Sequence, residues 1–184
     1  MQNLGLSERV LVPIDITRCP LEVFEVLNGF AQEREVTAIL LHVVCLRVAA
    51  PENRVYDELV QEARWYLQRL ADRHIDCSAS TLIRIRIGNP AEQILAEAKA
   101  ESATLILLPS FGPSFWNRLK LLWKPACGAV LSSLAGKLTR EAPCGVFVLP
   151  ARTSFNCERT WGRPTEKALQ DSVYPSPSYR PLQM

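Results

Sequence analysis

The chain has 184 residues, 48% of them apolar and 22% charged, with a formal net charge of +2, the make-up of one soluble globular domain with room for a tail. The whole excess charge sits in residues 151–184, where Arg152, Arg159, Arg163, Lys167 and Arg180 outnumber Glu158, Glu166 and Asp171. A neutral 1–150 lacks the basic footprint that nucleic acid needs, and with no signal-like start and no run of the roughly 18 apolar residues of a membrane span, a cytoplasmic protein is expected.

Arg9–Ile16 opens as an apolar strand of the kind buried on both faces, with Asp15 at its carboxyl end. Asp in that place also serves as an ordinary turn or cap residue. Pro20 suits the first turn of a following helix, which carries Leu21, Val23, Phe24, Val26, Leu27 and Phe30 inward and ends near Gln32–Arg34. Val36–Val44 is a second uninterrupted strand. His42 within it reads as a core histidine, and His74 is the only other one, so no His-rich metal site can be assembled.

Residues 51–74 form the longest helix, with Val55, Leu59, Ala63, Tyr66 and Leu70 at helical spacing and Trp65 beside Tyr66 as core or dimer contacts. Ser80–Ile87 alternates, placing Thr81, Ile83, Ile85 and Ile87 on one face and Leu82, Arg84 and Arg86 on the other. Two arginines on one face assign it to a sheet edge. In Gly88-Asn-Pro-Ala-Glu92, Asn89 is an N-cap, Pro90 the first helical residue, and Glu92 stands at capping-box spacing. That helix buries Ile94, Leu95 and Ala98 and runs to about Glu101.

Leu105–Leu108 is a short buried strand, and Gly112-Pro113 breaks the chain into a loop beyond it. A helix over 130–140, stopped by Ala142-Pro143, then leads to the strand Val146–Leu149. Five strands and four helices alternate, which gives a doubly wound α/β fold with a mainly parallel sheet. In such sheets ligands bind beyond the carboxyl ends of the strands, which directs attention to the loop after Leu108. The six cysteines (Cys19, Cys45, Cys77, Cys127, Cys144, Cys157) show no paired spacing and read as small apolar or incidental residues. Tyr174–Pro181 is rich in Pro and Ser, so residues 151–184 read as a disordered tail behind a domain at 1–150.

Several of these stretches together resemble the universal stress protein family. Arg9–Asp15 is similar to its first strand, Leu40-Leu-His-Val-Val44 to its second, Gly88-Asn-Pro-Ala-Glu-Gln-Ile94 to its strand-to-helix turn, and Ala142-Pro-Cys144 with the apolar run after it to its last strand. The resemblance implies a flavodoxin-like (adenine nucleotide alpha hydrolase-like) five-stranded parallel sheet in the order 3-2-1-4-5. It also implies dimerisation through the last strand and, in one branch, ATP binding. On that pattern Asp15, Val44, Gly112, Ser132 and Ser133 are the candidate nucleotide residues.

The ATP-binding branch carries G-x2-G-x9-G-S/T, a glycine-rich nest before a helix. Here its first glycine corresponds to Pro109, its second to Gly112, its third to Ser132 and its hydroxyl residue to Ser133, while the spacer has grown to the nineteen residues 113–131. Proline donates no N–H, so the site is expected to be degenerate. Gly128 would replace the third glycine only after a register shift. In the insertion, Phe115, Trp116, Leu119, Leu122 and Trp123 share an arc about 120° wide, with Arg118, Lys120 and Lys124 outside it. It reads as a cover over the open end of the sheet, or as a docking surface for a protein or an anionic membrane.

No Ser/His/Asp set, metal cluster or paired carboxylates is visible, so the expectation is a non-catalytic regulatory protein without cofactor. The alternative is an ATP/ADP-binding switch using Asp15, Gly112 and Ser133.

Overall fold

The computed structural model describes residues 7–45, 53–109, 134–149 and 156–170. Five strands, β1 (Glu8–Pro13), β2 (Val36–Val44), β3 (Ala79–Ile87), β4 (Leu105–Pro109) and β5 (Gly145–Leu149), form one parallel sheet in the order β3-β2-β1-β4-β5. This is the expected doubly wound architecture and strand order, with β3 at one edge and β5 at the other.

The period-two geometry of a strand sorts the buried residues onto two faces. Val10, Val12, Ala38, Leu40 and Leu107 point to one layer, Leu11, Ile39, Leu41, Ile106 and Leu108 to the other. Helices α1 (Glu22–Glu33) and α2 (Asn53–His74) cover the first face, and α3 (Pro90–Ala100) and α4 (Leu134–Glu141) the second. Val23, Phe24, Leu27 and Ala31 are the buried residues of α1. The helix starts one residue after Leu21, so Pro20 stands just outside it rather than in its first turn, and accepts from Val23 N–H at 3.4 Å. On α2 the core residues are Ala63, Tyr66, Leu67, Leu70 and Ala71. Leu59, expected inside, is exposed, because it belongs to the amino-terminal half of the helix, ahead of the buried stretch; the side chain of Val55 lies outside the described residues.

The turn from β3 into α3 agrees closely with the sequence. Gly88 has φ +134°, a Cβ there would meet Gln93 Nε2 at 3.3 Å, and its N–H donates to Val44 O at 3.1 Å. The Asn89 carboxamide oxygen accepts from the N–H groups of Ala91 (3.0 Å) and Glu92 (3.5 Å), and Pro90 is the first helical residue. At the other end Ser102 takes φ 49° and donates to Lys99 O, while Ala103 N–H reaches back to Ala98 O. That is a Schellman stop with serine where glycine is usual.

The arginines of β3 face α3. Arg84 binds Glu101 at 2.8 Å and lies 3.4 Å from Glu97, Arg86 binds Glu97, and Arg9 of β1 reaches the Glu101 carboxylate from the other side. Glu97 is fully buried. Among the described residues two helices cover this layer, and these aliphatic stems and ion pairs finish its edge.

Beyond β5 the expectation of a disordered tail is corrected in part. Residues 156–170 hold two short helices, α5 (Cys157–Trp161) and α6 (Glu166–Gln170). They pack on the α1/α2 face, with Cys157 and Trp161 in its core cluster and α6 against α2. Asn156 caps α5 through Arg159 N–H at 2.8 Å, and Gly162 ends it at φ +69°. The Pro/Ser-rich stretch 174–181 lies outside the described residues. Among the described residues no helix is long and apolar enough to cross a membrane.

Candidate functional site

The strand order reverses between β1 and β4, and these two strands pair at Val10 with Leu105 and Leu11 with Ile106. β4 then stays with β5 as far as Pro109 opposite Leu149, while β1 stays with β2 as far as Pro13 opposite Leu41. The carboxyl ends of β1 and β4 therefore follow different neighbours. This is the switch-point position where open α/β sheets take ligands.

Of the five candidate nucleotide residues, the structure describes Asp15 and Val44. Gly112, Ser132 and Ser133 lie outside the described residues, as do the insertion 113–131 and Gly128. Asp15 comes two residues after the end of β1, because the strand stops at Pro13 rather than running to Ile16. Its Oδ1 accepts from Thr17 N–H at 2.9 Å and from Thr17 Oγ1 at 2.7 Å, and its carbonyl accepts from Arg18 N–H at 2.9 Å. The carboxylate thus builds the β1–α1 turn, the role that a local Asx motif gives it. Val44 closes β2 opposite Ile87, with its carbonyl held by Gly88. The β1/β2 register brings Asp15 and Val44 to the same end of the sheet.

Pro109 is buried as the last residue of β4. It offers no N–H at the place where the phosphate nest would begin, and so does not fit a glycine-type phosphate contact. Among the described residues no group of three or more His, Cys, Asp or Glu could hold a metal ion.

His42 lies near the end of β2, its Nδ1–H donating to Ile14 O, next to Asp15, at 2.8 Å. The sequence implies a satisfied core histidine; the structure gives a half-buried one with its Nδ1 satisfied. Burial holds its pKa below 6.5, against the opposing pull of the Ile14 carbonyl and the Asp15 carboxylate. His74, stacked on Phe24 with ring centroids 5.4 Å apart, is lowered as well, by burial and then by the charge of Arg73. Both groups bind protons less readily folded than unfolded, so their stabilising contribution is present above pH 6.5 and is lost as the pH falls through the folded values. We expect the unfolding free energy to fall on acidification below about pH 6.5, by at most ~1.4 kcal/mol per pH unit for each proton, and the melting temperature to fall with it. Melting His42→Gln across pH 5–8 checks it: the variant should give a flatter profile than the parent chain.

Sequence reasoning passed over the other wall of this region. Asn156 Nδ2 donates to Thr17 O at 2.9 Å and Cys157 N–H to Ile16 O at 3.1 Å, so the segment after β5 is bonded to the turn that Asp15 builds. Further on, Tyr66 Oη–H donates to Gly162 O at 2.9 Å, Trp161 meets Trp65 edge-on at 6.4 Å, and the Arg69 guanidinium lies 5.0 Å from the Trp65 ring and 5.9 Å from Trp161. Trp65 and Tyr66 are therefore anchors for this strap. The signal for it was an Asn at 156 and a Gly at 162 bracketing a short helix.

The model of the universal stress protein family matches residues 7–150. Among solved structures, hypothetical protein MJ0577 is similar with a TM-score of 0.61 at 21% identity, covering 79% of this chain and 96% of that one. The universal stress protein UspA from Lactobacillus plantarum gives 0.51 at 22% identity, over 80% of this chain and 99% of that one. A universal stress protein solved in complex with cAMP gives 0.50 at 16% identity, over 79% and 98%. No curated protein matches the chain significantly.

Proposed function

The chain belongs to the universal stress protein family, and we propose that within it this protein is a non-catalytic stress-response regulator with a degenerate nucleotide site, acting through dimerisation and partner binding. The observation that carries this reading is Pro109. A buried proline ends β4 where the nucleotide-binding branch has the first glycine of its nest. Asp15 supports it, since one of its oxygens is committed to Thr17. The apolar edge of β5, with Phe147 and Val148 exposed, is the surface through which two copies would join, antiparallel across a two-fold axis.

A second reading, an ATP/ADP-binding switch using Asp15, Gly112 and Ser133, draws on the separate paths of β1 and β4 at the switch point and on the cAMP complex of one similar protein.

Calorimetric titration with ATP and Mg²⁺ decides between them. A lost N–H contact to a charged phosphate is worth roughly 1.5–3 kcal/mol, about one to two powers of ten in affinity. Binding weaker than about 10 μM, or none, is the expected result, with Pro109→Gly alone restoring nothing because the spacer is still long. A dissociation constant at or below about 10 μM, some −7 kcal/mol, would favour the switch.

A further inference from the structure

The strap that lies against the β1–α1 turn brings two thiols from opposite ends of the chain into one buried place. Cys19 directly precedes Pro20 at the entry to α1, and Cys157 opens α5; both are fully buried and belong to the same apolar cluster. The backbone fixes them to one turn. Cys157 donates its N–H to Ile16 O, and its neighbour Asn156 bonds Thr17 O, two residues ahead of Cys19. Burial pushes the Cys19 thiol far above its ordinary range, and the next cause is the charge that Cys157 would carry. The Cys19 thiol therefore feels the ionisation of Cys157. Both are thiols here.

We propose that Cys19 and Cys157 are a redox pair which closes to a disulfide under a hydroperoxide oxidant, bolting the strap to the β1–α1 turn. The closed strap keeps the pair latent, because the thiolate is the nucleophile and burial disfavours it. α5 has five residues, and such short, peripheral elements open at far lower free energy than a sheet. Opening exposes Cys157, whose thiolate attacks the peroxide. An S–O bond forms, the O–O bond breaks, and the departing hydroxide takes up the thiol proton as water. When the strap recloses, the Cys19 sulfur attacks the sulfenic sulfur of Cys157, forming S–S and expelling a second hydroxide, which leaves as water with the Cys19 proton. Two thiols and one hydrogen peroxide give one disulfide and two waters; the sulfurs lose two electrons and the peroxide oxygens gain them.

The exposed thiols of Cys45 and Cys77 are an internal control, since they meet peroxide without any opening. The test treats the full-length protein with hydrogen peroxide, blocks remaining thiols in denaturant, and digests with trypsin without reduction. The expected product joins the peptide 19–34 to the peptide 153–159, lighter by two hydrogens and separated again by dithiothreitol. The bond would close a loop spanning most of the chain, so the oxidised protein should melt at least ~5 °C higher, and the rise should vanish in Cys157→Ala. Because α5 is peripheral, that variant tests the pair without cutting into the sheet; Cys19→Ala should behave likewise where it folds. Recovery of both cysteines as blocked thiols while Cys45 and Cys77 are oxidised would overturn the proposal. So would a cross-link from either one to another cysteine, or a melting temperature that rises equally in Cys157→Ala.

Discussion

Sedimentation velocity at about 10 μM is expected to show Phe147→Glu as a monomer where the parent chain is a dimer. The proposed dimer supplies the reason. β5 lies at the edge of the sheet, and Phe147 and Val148, on its two opposite faces, are 49% and 41% exposed. An apolar strand uncovered on both faces is an unusual edge for a chain that stays alone. Burying a phenylalanine contributes about 1.5–3 kcal/mol. A two-fold interface uses each residue twice, so the substitution removes roughly 3–6 kcal/mol before repulsion between the new carboxylates is added. That is about two to four powers of ten in the dissociation constant. Phe147→Leu should keep the dimer. A parent chain that sediments as a monomer would remove this interface from consideration.

The second large effect is expected inside the monomer. Glu97→Ala should lower the stability of the domain by about 2–3 kcal/mol, read by urea denaturation. Glu97 is fully buried and serves both Arg84 and Arg86, while Glu101 serves Arg84 and Arg9. Removing Glu97 leaves the guanidinium groups of Arg9, Arg84 and Arg86 with the one carboxylate of Glu101, which pairs with Arg9 and Arg84 and not with Arg86. The cost stays below that of a fully buried pair because the side chains of Arg84 and Arg86 are 38% and 44% exposed and can turn toward water. Glu97→Gln keeps the shape and an acceptor, and should cost about half as much. An alanine variant as stable as the parent would show that the arginine stems alone seal this edge.

Most of the sheet was legible because its strands are short apolar runs and its breaks are chemical. Val36–Val44 and Leu105–Leu108 have no amphipathic alternation to confuse them with surface strands, and Asn89-Pro90 marks one helix start within a residue. Arg84 and Arg86 placed β3 at an edge. The strand order itself came from the family resemblance, since periodicity does not distinguish neighbours. The strap was not legible. Five-residue helices carry too little periodicity to register, and the Pro/Ser composition further along implies disorder for the whole stretch after Pro150. Cys157 looked incidental because its significance lies in a partner far away in sequence. Asp15 marks a different limit. A carboxylate after a strand is the same letter whether it meets a ligand or ties its own turn, and the tie to Thr17 through Oδ1 is visible only in the structure.

The central position of β1 has a consequence for how the chain is made. β1 is synthesised before the other four strands, yet one of its two neighbours is β4, and Arg9 is bonded to Glu101 and Thr104 some ninety positions later. As the chain leaves the ribosome, β1, β2 and β3 can pair as they emerge, because their connections are local. The other hydrogen-bonding edge of β1, which pairs with β4 at Val10 and Leu11, then waits until β4 has emerged. At a synthesis rate of roughly 5–20 residues per second, that is several seconds with an apolar strand edge unpaired. The strap comes later still, so the turn at Asp15 is clamped only after β4 and β5 have both emerged. The chain that still lacks β4 is therefore the most adhesive form of this protein, and the interval before β4 emerges is when a holdase would matter most.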